Sequence, residues 1–317
     1  MILSSRRRAM EMTKETSKRK KRSKKIISRS DMIFYIITGI IITLFFVVVL
    51  YPILFVLAAS FSSGDAVSAG KVFLWPVEFS LDGYKTVFND RDVLVGFRNS
   101  LIYMIVGTAI NVALTMCAAY ALTRVELPGI NKIMFLFTFT MFFGGGMIPN
   151  YILVRSLHIM NTMWAMVLPG AINAYNLIIA RTFIRSNIPK ELYEAAEMDG
   201  CNDFLFFLRI VLPLSGSVIA VLVLFYGVAH WNTYFNAMLY LNDPNKYTLP
   251  IILKQILISS QIDPSTVSDP ELQLQIARLA NVIKYALIVV TMIPIAIIYP
   301  FIQKYFVKGV MIGSVKG

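Results

Sequence analysis

The chain has 317 residues, of which 57% are hydrophobic and only 15% charged, with a mean hydropathy of +0.66. Ordinary globular chains are roughly 45–50% apolar, so this composition excludes a soluble globular domain and points to an all-α protein that crosses a bilayer several times. The formal net charge is +12, and where that charge sits decides what it means.

Residues 1–31 hold 12 Lys/Arg against 3 Asp/Glu, with no aromatic residue among them and no nucleic-acid fold motif. They read as a disordered arm retained in the cytoplasm and able to touch anionic membrane lipid, not as a nucleic-acid binder. A bilayer needs about 20 apolar residues per helical crossing, and six stretches qualify: 33–58, 98–123, 132–154, 162–183, 211–238 and 281–303. The first is too long for the core of a signal peptide and is expected to stay in the membrane. Loop 59–97 follows, with the turn pair Trp75-Pro76. Its Gly64 to Lys71 stretch looks like a phosphate-binding loop, but five residues separate Gly64 from Gly70 and Val72 stands where Ser or Thr is required.

The third span contains Gly144-Gly145-Gly146, each costing a helix roughly 1 kcal/mol relative to Ala, so either a break or a close helix crossing is expected there. The fourth carries Asn173, Tyr175 and Asn176. The fifth carries Tyr226, His230 and Tyr234 at i, i+4, i+8, with Trp231 and Asn232 alongside. Loop 239–280 holds Asp243-Pro244, Asp263-Pro264 and Asp269-Pro270; both long loops suit a partner protein or simple connection equally. Gly309, Gly313 and Gly317 lie past the last span and read as a flexible tail.

Basic residues fix the expected orientation. With the N-terminus inside, 21 Lys/Arg fall on the cytoplasmic side and 7 outside. Both termini are then cytoplasmic. None of the six spans carries Asp or Glu, whereas carriers coupled to protons or sodium usually need an intramembrane carboxylate, so the energy is expected to come from elsewhere. Cys117 and Cys201 form no disulfide framework, and His158 and His230 are too few and too isolated for a metal site.

The polar gap between the fourth and fifth spans is the most specific stretch. Pro189 suits the first turn of a helix that Ser186 or Asn187 can cap, Gly200 supplies a positive-φ stop, and Asn202 or Asp203 can cap a second helix through Leu208. Glu191, Glu194 and Glu197 form a stripe on the first helix, and Leu192, Ala195, Ala196 and Met198 offer small or apolar surface to a groove in a partner. The triplet Glu194-Ala195-Ala196, then Asp199-Gly200, then Ile210-Val211-Leu212-Pro213 resembles the "EAA" cytoplasmic loop of binding-protein-dependent ABC importer permeases of type I. The resemblance runs from about residue 30 to the end and includes Asn99-Ser100, Trp231-Asn232 and the closing Val315-Lys316-Gly317. It is similar to the carbohydrate-uptake class, as the smaller permease of maltose-type importers, and Phe143 to Pro149 is nearer a subgroup serving complex oligosaccharides.

The resemblance implies a type I importer permease fold of six transmembrane helices with a coupling-helix loop. It divides the chain into a basic cytoplasmic tail (1–31), a first transmembrane helix and external loop (32–94), a permease core with five helices (95–303) and a cytoplasmic C-terminal tail (304–317). It further implies a transport subunit of a bacterial cell membrane rather than an enzyme, importing a neutral oligosaccharide or polysaccharide fragment by alternating access. The loop would dock in a cleft of an ATPase, with Glu194, Ala195, Ala196, Asp199, Gly200 and Pro213 carrying the coupling. Partners would be a second, unlike permease subunit, two ATP-binding subunits that hold ATP and Mg, and an extracytoplasmic sugar-binding protein; this chain itself would bind no cofactor.

For the sugar path, Asn173, Tyr175, Asn176, Tyr226, His230, Trp231, Asn232 and Tyr234 offer aromatic faces and amides. The same residues serve as well in interfacial belts and interhelical hydrogen bonds. A permease for a peptide, amino acid or glycerol phosphate shares the bracket and is the alternative. An integral-membrane enzyme is disfavoured, because no carboxylate, His or Cys cluster converges.

Overall fold

The computed structural model describes residues 29–124, 128–259, 282–300 and 303. Most of the basic arm, Asp263-Pro264, Asp269-Pro270 and the tail from residue 304, with Gly309, Gly313, Gly317 and Val315-Lys316-Gly317, lie outside them. Among the described residues the elements are α1 (Arg29–Ser60), α2 (Gly64–Ser68), α3 (Asp82–Asn89), α4 (Arg91–Ala121), α5 (Ile130–Phe142), α6 (Met147–Ser156), α7 (Met163–Val167), α8 (Ala174–Asn187), α9 (Lys190–Met198), α10 (Asp203–Phe206), α11 (Gly216–Trp231), α12 (Phe235–Tyr240), α13 (Leu249–Ser259) and α14 (Val282–Pro300). The pairing of Ser62 with Phe79 is an isolated bridge rather than a sheet.

The chain divides into two compact units, Met1–Ile53 and Leu54–Gly317. In the first, the described residues form the greater part of α1, and none of their side chains is buried. In the second, α4 is the central rod, touching α3, α7, α8, α11 and α13. Its start is set by Asp90, whose carboxylate accepts from the Asp92 and Val93 amides. A long rod can be contacted on every side only if some of its face is small or polar, and α4 buries Gly96, Asn99, Ser100, Gly107, Thr108, Asn111 and Thr115 among its apolar residues.

Three helices, α1, α4 and α14, are long and apolar enough to cross a membrane unbroken; the other three expected spans are bent pairs, so the count reaches six only if each pair makes one crossing. The third breaks at residues 143–146, where α5 and α6 meet at 116° and Gly146 adopts φ 86°. A Cβ at Gly144 or Gly146 would meet nothing within 4 Å, so of the two expectations for this run it is the break that the chain adopts. The fourth bends by 54° between Met163–Gly170 and α8, across the 3-10 turn containing Pro169. The fifth, expected as one helix over 211–238, turns by 80° between Asp203–Leu214 and α11 and ends at Trp231. Pro213 has no N–H to give back to the preceding turn, and the backbone there passes through a π turn over Phe207–Val211 before it bends at Ser215.

Candidate functional site

The bracket is built as two helices around a left-handed residue. α9 ends at Met198 with Asp199 as its C-cap, and Gly200 follows at φ 77°, a conformation that costs other L-residues about 1–2 kcal/mol. Asn202 then caps α10, its Oδ1 accepting from the Leu205 amide at 2.8 Å. The cap of α9 differs from expectation: Pro189 is itself the N-cap residue. Ser186 and Asn187 instead face back, Ser186 Oγ donating to Thr182 O and Asn187 Nδ2 to Phe183 O, which closes the end of α8. Expected on the partner-facing surface, Ala196 is buried in the largest apolar cluster with Ile184, Phe206 and Val211. One turn before it, Tyr193 also turns inward, so the inner stripe runs through 193 and 196. Glu191, Leu192, Glu194, Ala195, Met198, Asp199 and Gly200 remain exposed, as does Pro213.

A clasp ties this bracket to the end of α4. The Arg124 guanidinium lies 3.4 Å from the centroid of Tyr193, and its Nη2 is 3.1 Å from Asp203 Oδ1. Tyr120 donates to the same carboxylate oxygen at 3.3 Å and stacks on Phe207 at 5.2 Å, while Tyr193 meets Phe206 edge to face. Burial alone pushes the Arg124 guanidinium down; Tyr120, Asp203 and Tyr193 around it outweigh that and hold it above its ordinary value. Both helices of the bracket thus share one cation. From sequence, Arg124 signals only an interfacial positive charge, since its partners stand far along the chain.

The expected sugar-path residues separate into buried and open sets. Tyr226 is buried; its hydroxyl accepts from the Asn173 amide at 3.0 Å and is 2.7 Å from Thr115 Oγ1, to which its own proton is free to go. His230 Nε2 is 3.0 Å from Asn111 Nδ2 and lies against Gly107, where a Cβ would come within 2.5 Å of that nitrogen. Trp231 is fully buried, with Nε1 donating to Thr291 O at 3.0 Å and its ring edge-to-face with Phe97. It is a core residue, not a path wall. Tyr234 does not continue the ladder, because α11 ends at Trp231; its ring instead carries Lys254 Nζ at 4.4 Å. Asn176 is buried, while Asn173, Tyr175 and Asn232 are exposed, Asn173 also capping α8 through the Asn176 amide. Thr108 Oγ1 and Asn111 Oδ1 are buried without a hydrogen-bond partner among the described residues.

At the opposite end of α4, Asn99 and Ser100 have a job that their sequence position alone does not disclose. Asn99 Nδ2 donates to the carbonyls of Asn245 and Tyr247, and Ser100 Oγ accepts from the Leu249 amide at 2.8 Å. Asn161, at φ 58°, receives the amides of Asn242 and Asp243 on its Oδ1. These residues fasten the connection between α12 and α13 to the bundle. Among the described residues no His, Cys, Asp and Glu cluster has the make-up of a metal site.

No family model matches the chain. It is 43% identical, over 90% of its length and 98% of the relative's, to the polygalacturonan/rhamnogalacturonan transport system permease protein YtcP of Bacillus subtilis. It is 41% identical to the protein LplC of the same organism, over 85% and 90% of the two lengths. Among solved structures it is similar to a bacterial ABC transporter involved in the import of the acidic polysaccharide alginate, with a TM-score of 0.81 and 32% identity over 88% of this chain and 98% of that one.

Proposed function

We propose, for a chain that belongs to the ABC transporter permeases, that its cargo is an oligosaccharide or polysaccharide fragment, carried inward by alternating access. The single observation that carries this reading is the near full-length likeness to YtcP, named for polygalacturonan and rhamnogalacturonan, joined by the likeness to an alginate importer. ATP and Mg would be held and ATP hydrolysed by two partner subunits, and α9 with α10 would be the surface they grip. Support for that surface is physical: its outer residues, Glu191, Leu192, Glu194, Ala195 and Met198, are exposed on a short helix whose inner face is locked by the Arg124 clasp. A rigid-body push on such a helix reaches α4 directly.

The positive-inside asymmetry supports a cytoplasmic position for the bracket and both termini. A second permease subunit would complete the pore; α5 supports this, since among its residues none is buried and Phe135, Leu136, Phe139 and Phe142 are exposed. A lipid-facing helix looks the same from one chain, so co-purification with the second subunit decides it. An extracytoplasmic sugar-binding protein would deliver the cargo. For the path itself Asn173, Tyr175 and Asn232 are the open candidates, with Tyr226 holding the Asn173 amide from behind.

The reading is tested by uptake into vesicles holding the complete complex and its binding protein, offered fragments of polygalacturonan, alginate and a neutral glucan, with amino acids and peptides as controls. ATP-dependent uptake of one of the three sugar classes is expected. Uptake of an amino acid or peptide and of no sugar overturns it.

A further inference from the structure

A second site lies beside the bracket. An open cavity of about 880 Å³ is walled by the end of α4, the segment from Gly129 into α5, the end of α8 and the face of α9 that carries Lys190, Tyr193, Glu194 and Glu197. Arg124, Lys132, Arg181, Arg185 and Lys190 line it, against the carboxylates of Glu194 and Glu197, and Ile130, Ile184, Ile188 and Val211 supply an apolar floor. With Arg124 set against Asp203, four cations face two anions and leave a positive excess. Arg124 is engaged with Asp203, and Arg181 Nε donates to Leu122 O. Lys132, Arg181, Arg185 and Lys190 make no ion pair with any described residue.

Position adds the second half of the argument. The cavity is walled where three apolar helical segments stop or start, at Ala121, Ile130 and Asn187, so it sits at the level where hydrocarbon gives way to headgroups. Cations at that level above an apolar floor match an amphiphile whose head is anionic. A guanidinium binds phosphate oxygens in pairs, and a basic pocket between membrane helices attracts acidic headgroups. We infer that this cavity binds the phosphodiester headgroup of an acidic phospholipid and thereby braces the side of α9 that carries Lys190 and Tyr193. The inference needs only that the chain lies in a membrane, so it stands or falls separately from the choice of cargo.

The test uses Lys132→Gln/Arg185→Gln, two exposed side chains outside both the clasp and the proposed partner-facing surface of α9, so folding is not at stake. Charge-retaining Lys132→Arg/Arg185→Lys serves as the second variant. The intact transporter is moved from phosphatidylglycerol into phosphatidylcholine nanodiscs, and retained phosphatidylglycerol is counted by native mass spectrometry. In a parallel arm inorganic phosphate is titrated into detergent-solubilised complex while its melting is followed. The expected result is tight phosphatidylglycerol retention by the wild type and the Arg/Lys swap, weakened about fivefold for each charge removed in the Gln variant, with no effect of free phosphate. Equal retention by all three proteins overturns the inference. So does stabilisation by inorganic phosphate that matches the lipid's, which would make the site one for a soluble anion. Loss of the ATPase subunits from the Gln variant without loss of lipid would assign the cavity to a protein interface instead, and overturns it too.

Discussion

Gly107→Ala is the smallest change with the largest local consequence. The added methyl carbon would stand 2.5 Å from His230 Nε2, 2.7 Å from its Cε1 and 2.9 Å from its Cδ2, and real contacts of that kind do not occur. The imidazole has to turn away, and in turning it gives up the 3.0 Å contact with Asn111, whose other amide atom is already buried without a partner among the described residues. Overpacking of this sort costs about 1–3 kcal/mol, and the lost hydrogen bond adds about 0.5–1.5 kcal/mol. At roughly 2–4 °C per kcal/mol for chains of about 150–250 residues, the melting midpoint falls by about 3–18 °C. The assay is fluorescence-detected thermal unfolding of the detergent-solubilised complex. The decisive variant is the pair Gly107→Ala/His230→Ala: with the ring gone, the methyl enters free space, and the double variant should lose about 0.5–3 kcal/mol less than the two singles predict. Gly144→Ala, whose Cβ meets nothing, should melt like the wild type. Additive losses in the double variant would refute the reasoning, because the glycine would then be needed for something other than the ring beside it.

Three further outcomes follow from the same geometry. Arg124→Gln removes the cation shared by Tyr193 and Asp203; cargo-stimulated ATP hydrolysis should drop well below wild type with membrane level unchanged, and Asp203→Asn should fall less because Tyr120 can still donate to the amide oxygen. In Tyr226→Phe the Asn173 amide and Thr115 lose their common partner; a destabilisation of about 1–3 kcal/mol with cargo preference intact is expected in melting and uptake assays, whereas changed preference with unchanged melting would make Tyr226 a contact for cargo. In a chain stripped of Cys117 and Cys201, a cysteine at Ser80 should react with an impermeant maleimide in intact cells and one at Met198 only after permeabilisation. The reverse pattern inverts the topology.

The local chemistry of the bracket was legible because it is short-range: a glycine with positive φ and an amide capping three residues ahead are properties of four or five neighbours, and both Gly200 and Asn202 behave as their types require. The choice of Ser186 or Asn187 as a cap failed for an equally local reason, since both side chains found carbonyls of the helix they end rather than amides of the one they precede. Apolar spans were harder. Where nearly every residue is hydrophobic, periodicity does not reveal which face is inside, so a buried Trp231 looks no different from a lining residue. Helix continuity was overestimated at Ser215 and Trp231 because hydropathy runs on through a bend that Pro213 and the π turn impose. Asn111, Thr115 and Arg124 were missed as functional residues; their partners lie 60 to 120 positions away in sequence, or on elements whose packing no local signal encodes.

The central claim, that the α9 and α10 bracket transmits work from separate ATPases to this pore, is tested most directly by Gly200→Val in the reconstituted complex. A β-branched residue cannot hold φ 77° without strain, so the two helices must leave the angle at which the clasp holds them. Cargo-stimulated ATP hydrolysis and uptake are measured on the same vesicles, with the subunit ratio checked on a gel. The account predicts that both activities disappear while the permease and its ATPases remain in the membrane. Wild-type stimulation and uptake in Gly200→Val would contradict it.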